Sequence, residues 1–217
     1  PFQQLQEQIL QHIDATPITR HNSLGIERVQ RQREDNSVAF FKGNADRFRE
    51  QQELIAPWAD YSEITLQLLD RLEQDTFESI IEVGVGEGWL LPDLAGRARN
   101  VTALDLSQDM LRLAQQHASH LSNVSFIQGS TDVLVERDRH ADAIIANMVL
   151  HHTPDPEKVL AEAANALQPG GHFIVSELCA HDQAWAREHC GDLWLGFTPE
   201  QLEGWAQDAD LTLSASV

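Results

Sequence analysis

Residues 79–88, Ser-Ile-Ile-Glu-Val-Gly-Val-Gly-Glu-Gly, leave this chain few ways to fold. Ile80, Ile81 and Val83 form a short β-branched run, the mark of a buried strand. Glycines follow at 84, 86 and 88, and then an apolar segment that begins Trp89-Leu90-Leu91. The order is strand, tight turn, helix. Glycine lets such a turn reverse sharply and lets a ligand approach bare backbone. Further on, a second strand, Val101-Thr-Ala-Leu104, ends in Asp105, whose carboxylate can accept hydrogen bonds from both hydroxyls of a ribose.

The spacing of the glycines bears on which nucleotide. A dinucleotide fingerprint reads G-x-G-x-x-G, with the helix N-terminus facing a pyrophosphate. Here the third glycine comes one residue early, and Trp89 stands where it should fall. Glu82 and Glu87 also place negative charge in and beside the turn. Two carboxylates repel a pyrophosphate but favour a sulfonium and an ammonium. The predicted ligand is therefore cationic at its reactive end, which argues against a nicotinamide dinucleotide. A glycine-rich turn alone is equally compatible with an ordinary strand–helix connection; the combination of Glu82, G-x-G-x-G and Asp105 is what specifies a site.

Along the chain, Phe2, Leu5, Ile9 and Ile13 fall at helical spacing, and Pro17 ends the pattern. Residues 26–56, rich in Arg, Gln and Glu, predict one or two helices, and another helix starts in Ser62–Leu72. From there strands are expected near 79–84, 100–105, 123–128, 141–147 and 171–178. Helices should cover roughly 89–96, 107–119, 156–168 and 198–208, with only a short helix or loop between Gly129 and His140. Ser107, Asp155 (with Pro156 at the first helical position) and Thr198 are the expected N-caps, and Pro169-Gly170-Gly171 the stop after the third helix. Strands alternating with helices mean an α/β fold with a doubly wound, mostly parallel sheet, here preceded by a helical N-terminal cap. In such a sheet the ligand lies at the C-terminal strand edges, where Gly84–Gly88, Asp105, Gly129–Ser130 and Asn147–His152 all fall.

At this point the chain resembles the class I S-adenosylmethionine-dependent methyltransferases, from about residue 76 to the C-terminus. The resemblance is carried by Glu82-Val-Gly-Val-Gly-Glu-Gly88, Leu104-Asp-Leu-Ser-Gln-Asp-Met110, Phe126-Ile-Gln-Gly-Ser130, Asp142-Ala-Ile-Ile-Ala-Asn-Met-Val-Leu-His-His152 and Leu167-Gln-Pro-Gly-Gly171. It implies a Rossmann-like methyltransferase sheet and S-adenosyl-L-methionine as cofactor. It also implies that Gly84 and Gly86 line the methionine portion and Asp105 binds the ribose, with Glu82, Val85 and Gly88 also in the cofactor-binding set. Leu106 and Met110 would flank the adenine, Gly129 and Ser130 its edge, with Asn147 and Met148 completing the cofactor-binding set. Many relatives carry an acidic residue where Ser130 stands; a hydroxyl still accepts one hydrogen bond there. The family normally ends in an antiparallel hairpin, of which Leu211–Val217 is the expected first strand.

Methyl transfer from a sulfonium is an in-line displacement, so positioning supplies much of the catalysis. A base is needed where the acceptor must lose a proton. His151 and His152, just past the fourth strand, are the catalytic candidates; the alternative is that one fixes a loop and the other faces water. Cys179, His181, His189 and Cys190 are metal-capable, but their spacing fits no zinc pattern, and no metal is expected. Arsenic methylation is disfavoured, because the first 178 residues hold no cysteine. Trp205 is expected in the core, while Trp194 and Phe197 are open between core and substrate wall.

A net charge of −19 argues against nucleic-acid binding through this segment. Glu27-Arg-Val-Gln-Arg-Gln-Arg33 reads as a solvated helix face. No apolar run approaches the ~20 residues of a membrane span, and two cysteines without a disulfide framework point to the cytoplasm. The expected division is residues 1–65, helical extension and cap, and 66–217, the methyltransferase domain, cut before its last strand. The acceptor is a small molecule entering beneath the cap of residues 38–62, with Tyr61 and Phe41 as candidate cap contacts. Segments before the fold and Asp182–Phe197 further resemble a subgroup of regulators fused behind an arsenical-repressor-type winged-helix domain. That resemblance implies a DNA-binding domain outside this chain and a homodimer. It also leaves a second function class: a ligand-sensing module with little or no turnover.

Overall fold

The computed structural model describes residues 19–44, 53, 55–72, 74, 76–137 and 139–216; the helical stripe expected over residues 2–14 lies outside these. Five parallel strands form one sheet: β1 (Phe77–Val83), β2 (Ala98–Asp105), β3 (Val124–Gln128), β4 (Ala141–Asn147) and β5 (Leu167–Ser176). Their order is β3-β2-β1-β4-β5. β1 pairs with β2 on one side and β4 on the other, so the strand order reverses at β1. A crevice opens at the C-terminal ends of strands at such a reversal.

Both faces of the sheet are covered, which is why its strands are apolar throughout rather than alternating. Ile80, Val101, Ala103, Ala143 and Ile145 point into one cluster with Leu69, Leu91, Leu94, Leu111 and Ala114. These come from α2 (Trp58–Asp70), α3 (Leu91–Ala95) and α4 (Gln108–His117). Ile81, Val83, Leu104, Ile144 and Ala146 point into the opposite cluster with Leu134 and Ala163. The latter pair belong to α5 (Asp132–Glu136) and α6 (Pro156–Asn165). A third cluster joins Leu150, Val159, Leu160 and Phe197, with Trp194, Leu202 and Trp205 packed against it. Its outer helix is α8 (Pro199–Asp208), and a short α7 (Trp185–His189) precedes it. Trp205, expected in the core, is half-buried and packs against this cluster from outside, whereas Phe197, 2% exposed, is core. Trp194 is fixed by its indole N–H, which donates to Thr153 O at 2.8 Å.

The expected caps are present. Ser107 Oγ accepts from Met110 N and Asp155 Oδ1 from Lys158 N; Thr198 closes a reciprocal capping box with Gln201. Two boundaries differ from expectation. α6 stops at Asn165, and β5 starts at Leu167, running through the Pro169-Gly170-Gly171 stretch expected to be a helix stop. Leu167 pairs with Ala141, and the register then shifts before Ala143 meets His172. Gly171 sits inside that irregularity, where a Cβ would lie only 2.9 Å from Gln168 O and 3.1 Å from Ala141 O. The glycine serves a bulge, not a turn. The other difference is Leu211–Val217, expected as a strand: residues 211–216 carry no strand, and Leu211 N instead donates to Ala206 O at 2.8 Å, closing the end of α8. Strand propensity without a neighbouring ladder does not make a strand.

Ahead of the sheet, a single helix α1 (Arg20–Asn44) replaces the start of the expected 26–56 helical region. It lies over the loops that follow β4 and β5. Gln30 Nε2 donates to Asp155 Oδ2 at 2.7 Å, Arg33 stacks 5.5 Å from the Trp194 ring centroid, and Ser37 Oγ donates to His152 O at 3.4 Å. The Arg-rich segment is thus an anchored face as well as a solvated one. α2 docks through Thr65, whose Oγ1 lies 2.7 Å from Asn147 Oδ1 and 2.9 Å from Ser176 Oγ, at the ends of β4 and β5.

The glycine turn divides its labour. Gly86 has φ +53 and open space where a Cβ would stand, whereas Gly88 has φ +78 and a Cβ there would meet Ala114 Cβ and Leu91 Cδ1 at 2.9 Å. Gly86→Ala is expected to cost about 1 kcal/mol from left-handed backbone strain alone. Gly88→Ala adds overpacking and should cost about 3 kcal/mol. Urea unfolding of the two variants checks the order; equal losses would mean that α4 yields freely to the added methyl.

Candidate functional site

One cavity gathers the C-terminal ends of β1, β2 and β4, the turn before α5 and the underside of α1 and α2. Among the residues expected to bind cofactor, Glu82, Gly84, Val85, Gly86, Asp105, Leu106, Met110, Gly129, Ser130, Asn147 and Met148 all line it. Gly88 does not; it packs turn against helix, as its contacts with Leu91 and Ala114 require. His152 lines the cavity, whereas His151 is 2% exposed and lies outside the lining. The cap supplies Ser37, Val38, Phe41, Trp58 and Tyr61, so both expected cap contacts face the cavity.

The turn and the second strand are locked to each other. Gly86 N donates to Asp105 Oδ2 at 2.9 Å, Ser107 N to Asp105 Oδ1 at 2.8 Å, and Val85 N to Leu104 O at 3.0 Å. Each Asp105 oxygen keeps a lone pair for a further donor. Burial pushes the Asp105 carboxyl up to about 6, against those two N–H bonds. Glu82, 5% exposed, is pushed up to about 8 by burial and then by Asp105. Among the described residues Glu82 Oε2 has no hydrogen-bond partner. An orphaned buried carboxyl oxygen in the cavity, beside a second carboxyl, is the acceptor set a cation-bearing nucleoside needs. S-adenosylmethionine, which joins an ammonium and a sulfonium to a ribose, fits these residues.

Beyond β4 the backbone is strained: Met148, a cavity residue, has φ +54, and its N donates to Ser176 O at 2.8 Å. A 3₁₀ turn, Leu150–His152, follows. His151 Nδ1 donates to Glu177 Oε1 at 2.5 Å, and Glu177 also accepts from His151 N and Leu178 N. Burial opposes the His151 imidazolium, but Glu177 and Asp192 outweigh it and raise its pKa. His152 behaves oppositely: burial and the neighbouring His151 charge hold its pKa well below the usual value, so it is neutral. Its Nδ1 lies 3.4 Å from Gly191 O, and its ring meets Phe41 edge-on at 5.1 Å.

Glu177 and Asp192 were not singled out by sequence. Nothing marks Glu177 except its place one residue past β5, and Asp192 belongs to the Asp182–Phe197 segment without any spacing that assigns it a role. Trp89, used above only to exclude a dinucleotide, lines the cavity mouth, its indole N–H donating to Glu87 Oε2 at 2.7 Å. The Cys179, His181, His189, Cys190 set does not come together: Cys179 is exposed and Cys190 buried, its thiol pushed up to about 11 by burial and Asp192.

The Glu82 environment makes a pH prediction. Folded Glu82 holds its proton up to about pH 8, whereas the unfolded chain releases it near 4.5. Stability of the free protein should therefore fall as pH rises through that window, by up to about 1.4 kcal/mol per unit. Glu82→Gln removes this share and leaves the smaller ones of Asp105 and Asp192, each pushed up to about 6, which have the same sign. Urea unfolding at about pH 5.5 and 8 measures it; a slope unchanged in the variant would show that Glu82 is already ionised in the free fold.

Comparison with known proteins agrees with this geometry. Residues 81–175 match the family model described as a methyltransferase domain. The ubiquinone biosynthesis O-methyltransferase of Alkalilimnicola ehrlichii is 31% identical over 198 residues, covering 82% of this chain and 79% of the relative. That of Marinobacter nauticus is 28% identical over 149 residues, covering 67% and 63%. In fold, the chain is similar to the N-methyltransferase NodS from Bradyrhizobium japonicum in complex with S-adenosyl-L-homocysteine. The TM-score is 0.62 at 19% identity, with 80% of this chain and 85% of that one covered. The chain belongs to the class I S-adenosylmethionine-dependent methyltransferases, and it is an enzyme of methyl transfer.

Proposed function

We propose that the acceptor is a small, largely apolar molecule carrying a phenol-type hydroxyl, and that methyl transfer goes to its oxygen. One observation carries this reading: a neutral histidine, His152, faces a cavity whose cap side is built from Val38, Phe41, Trp58 and Tyr61. Aromatic and aliphatic walls favour an apolar body, and a neutral imidazole accepts a hydroxyl proton near neutral pH. The O-methyltransferase names of the relatives support an oxygen acceptor.

When bound, S-adenosylmethionine supplies a methyl group on a sulfonium. In this reading Glu82, Gly84, Val85 and Gly86 hold the methionine end and Asp105 the ribose hydroxyls. Leu106 and Met110 flank the adenine, while Asn147 and Met148 close the β4 side. Ser130 Oγ donates to Asp132 Oδ1 at 2.5 Å, which leaves its lone pairs to accept from the adenine edge beside Gly129. His152 takes the acceptor proton on Nε2, its Nδ1–H turned to Gly191 O. His151, protonated against Glu177, keeps its neighbour neutral and acts as a positioning residue.

Two measurements test this. With a phenolic acceptor, kcat/KM should stay level from about pH 8 down past 6.5, because His152 takes up a second ring proton only well below that value. His152→Ala should lower kcat by about 100-fold or more, with partial rescue by added imidazole. Full activity in that variant would remove the base. Separately, Asp105→Ala should weaken S-adenosylmethionine binding by about 1–3 kcal/mol in a calorimetric titration; unchanged affinity would place the ribose elsewhere.

The division into a cap, 1–65, and a methyltransferase domain, 66–217, belongs to the same proposal and is supported by the cavity contacts of α1 and α2. Among the described residues no helix is long and apolar enough to cross a membrane. A cytoplasmic location, a homodimer and a winged-helix DNA-binding domain outside this chain are inferred from the cysteine usage and the resemblance of Asp182–Phe197. The mass of the native protein in cell extract tests the last two.

A further inference from the structure

We propose that His151, His152 and Asp192 form a binding site for one divalent transition-metal ion of the zinc class, set behind the cavity wall. Among the described residues they are the one group of three or more metal-capable side chains whose ligand atoms gather, all within 4.8 Å of one another. The two histidines leave the 3₁₀ turn after β4, and Asp192 comes from the loop after α7. Leu193 N and Trp194 N both donate to His151 O, at 2.9 and 3.1 Å, so the two segments are tied together at the backbone.

The gap between them is the informative part. Asp192 Oδ1 lies 3.9 Å from His151 Nε2 and 3.8 Å from His152 Nδ1, too far for hydrogen bonds. Two ligands bound at about 2.0–2.1 Å to one tetrahedral ion stand ~3.4 Å apart, so each Asp192–histidine pair needs a few tenths of an ångström of closure and the widest pair in the group about 1.4 Å. Among the described residues neither Asp192 oxygen has a hydrogen-bond partner, and its side chain is 0% exposed. A carboxylate buried without a partner is costly unless something occupies the space in front of it.

The surroundings are arranged as metal ligands are. Glu177 accepts from His151 Nδ1, and its remaining bonds come from His151 N and Leu178 N. A carboxylate behind a histidine fixes its tautomer and turns the other ring nitrogen toward the ion. Here that nitrogen, Nε2, is the one on the Asp192 side. Two imidazoles and one carboxylate suit zinc and its neighbours, whereas calcium and magnesium prefer all-oxygen shells. An ion here displaces the Nε2 proton of His151 to solvent and takes the Nδ1 lone pair of His152, whose proton moves to Nε2. Metal-loaded and base-competent forms then exclude each other.

The test uses the full chain, stripped with chelator and titrated with Co²⁺ and then Zn²⁺, read by visible absorption and calorimetry. The expected result is one equivalent taken up, with the d–d bands of a low-coordinate nitrogen–oxygen site that Zn²⁺ bleaches. Asp192→Asn and His152→Gln should each abolish saturable uptake, and Glu177→Gln should weaken it about 10- to 100-fold. His189→Gln, at an exposed imidazole, should leave it unchanged. Circular dichroism confirms that each variant is folded; should Asp192→Asn fail, His152→Gln, on the cavity wall, and Glu177→Gln carry the comparison. Absence of stoichiometric uptake by the parent protein means that the gap holds water only and overturns the proposal. So does uptake that survives both the His152 and the Glu177 substitutions. Neither readout depends on methyl transfer, so the site stands or falls apart from the acceptor reading.

Discussion

The parallel pairing of β1 with β4 is the constraint on which the rest depends. It runs from Ile80 opposite Ala143 to Val83 opposite Ala146, between two strands far apart in sequence. Because β2 occupies the other side of β1, the loops leaving β1 and β4 turn to opposite faces and leave a crevice between them. Glu82, on β1, pairs with Ile145 and opens into that crevice, while Asn147 and the strained Met148 enter from β4. Gly84 makes the fit close: a Cβ there would stand 2.5 Å from Val149 Cγ2, so the turn after β1 lies directly against the exit of β4. No side chain larger than hydrogen can occupy that position without separating the two strand ends.

Two groups of buried ionisable residues flank the cavity, and they are satisfied differently. On the β1–β2 side, Asp105 is bonded to the turn while Glu82 keeps an orphaned oxygen, and burial raises both carboxyls. This is a site whose electrostatics are completed by a cation. On the β4–β5 side, Glu177 is fully hydrogen-bonded and holds His151 protonated, which in turn keeps His152 neutral. Two like imidazoles with ring centroids 4.0 Å apart cannot both carry charge cheaply, so the proton settles on the one nearer the carboxylate. The neutral one is the one that reaches the cavity.

Much of this was legible in the sequence because it is local. The β-branched run at 80–83, the glycine alternation and the Asp105 strand end lie on contiguous elements, and the caps at Ser107, Asp155 and Thr198 act within one turn. What escaped is non-local or depends on a partner. Gly171 looked like a helix stop because its neighbours are Pro169 and Gly170; only the shifted pairing with β4 reveals a bulge. Gly88 looked like a ligand contact because it shares the spacing of Gly84 and Gly86; only Ala114 on α4 shows that it packs. Residues 211–216 alternate like a strand but form no ladder with either edge of the sheet, β3 or β5. Asp192 reaches His151 from 41 residues downstream, and no periodicity connects the two.

The cap decides what the cofactor half of the site is used for. Turn, strand ends and Asp105 are built from backbone bonds and β-branched packing that serve any acceptor. The opposite side of the cavity is made of side chains from α1 and α2, held by a few polar anchors: Gln30 to Asp155, Ser37 to His152 O, and Thr65 to Asn147. Phe40 adds a steric anchor, since Gly191 has φ +76 and a Cβ there would meet its ring at 2.6 Å. Gly191 O is also the group that orients His152. The same glycine therefore sets the height of α1 above the cavity and the tautomer of the histidine within it. A side chain at 191 would lift Phe40 and shift that carbonyl together, so the seat of α1 and the orientation of His152 cannot be changed independently at this position.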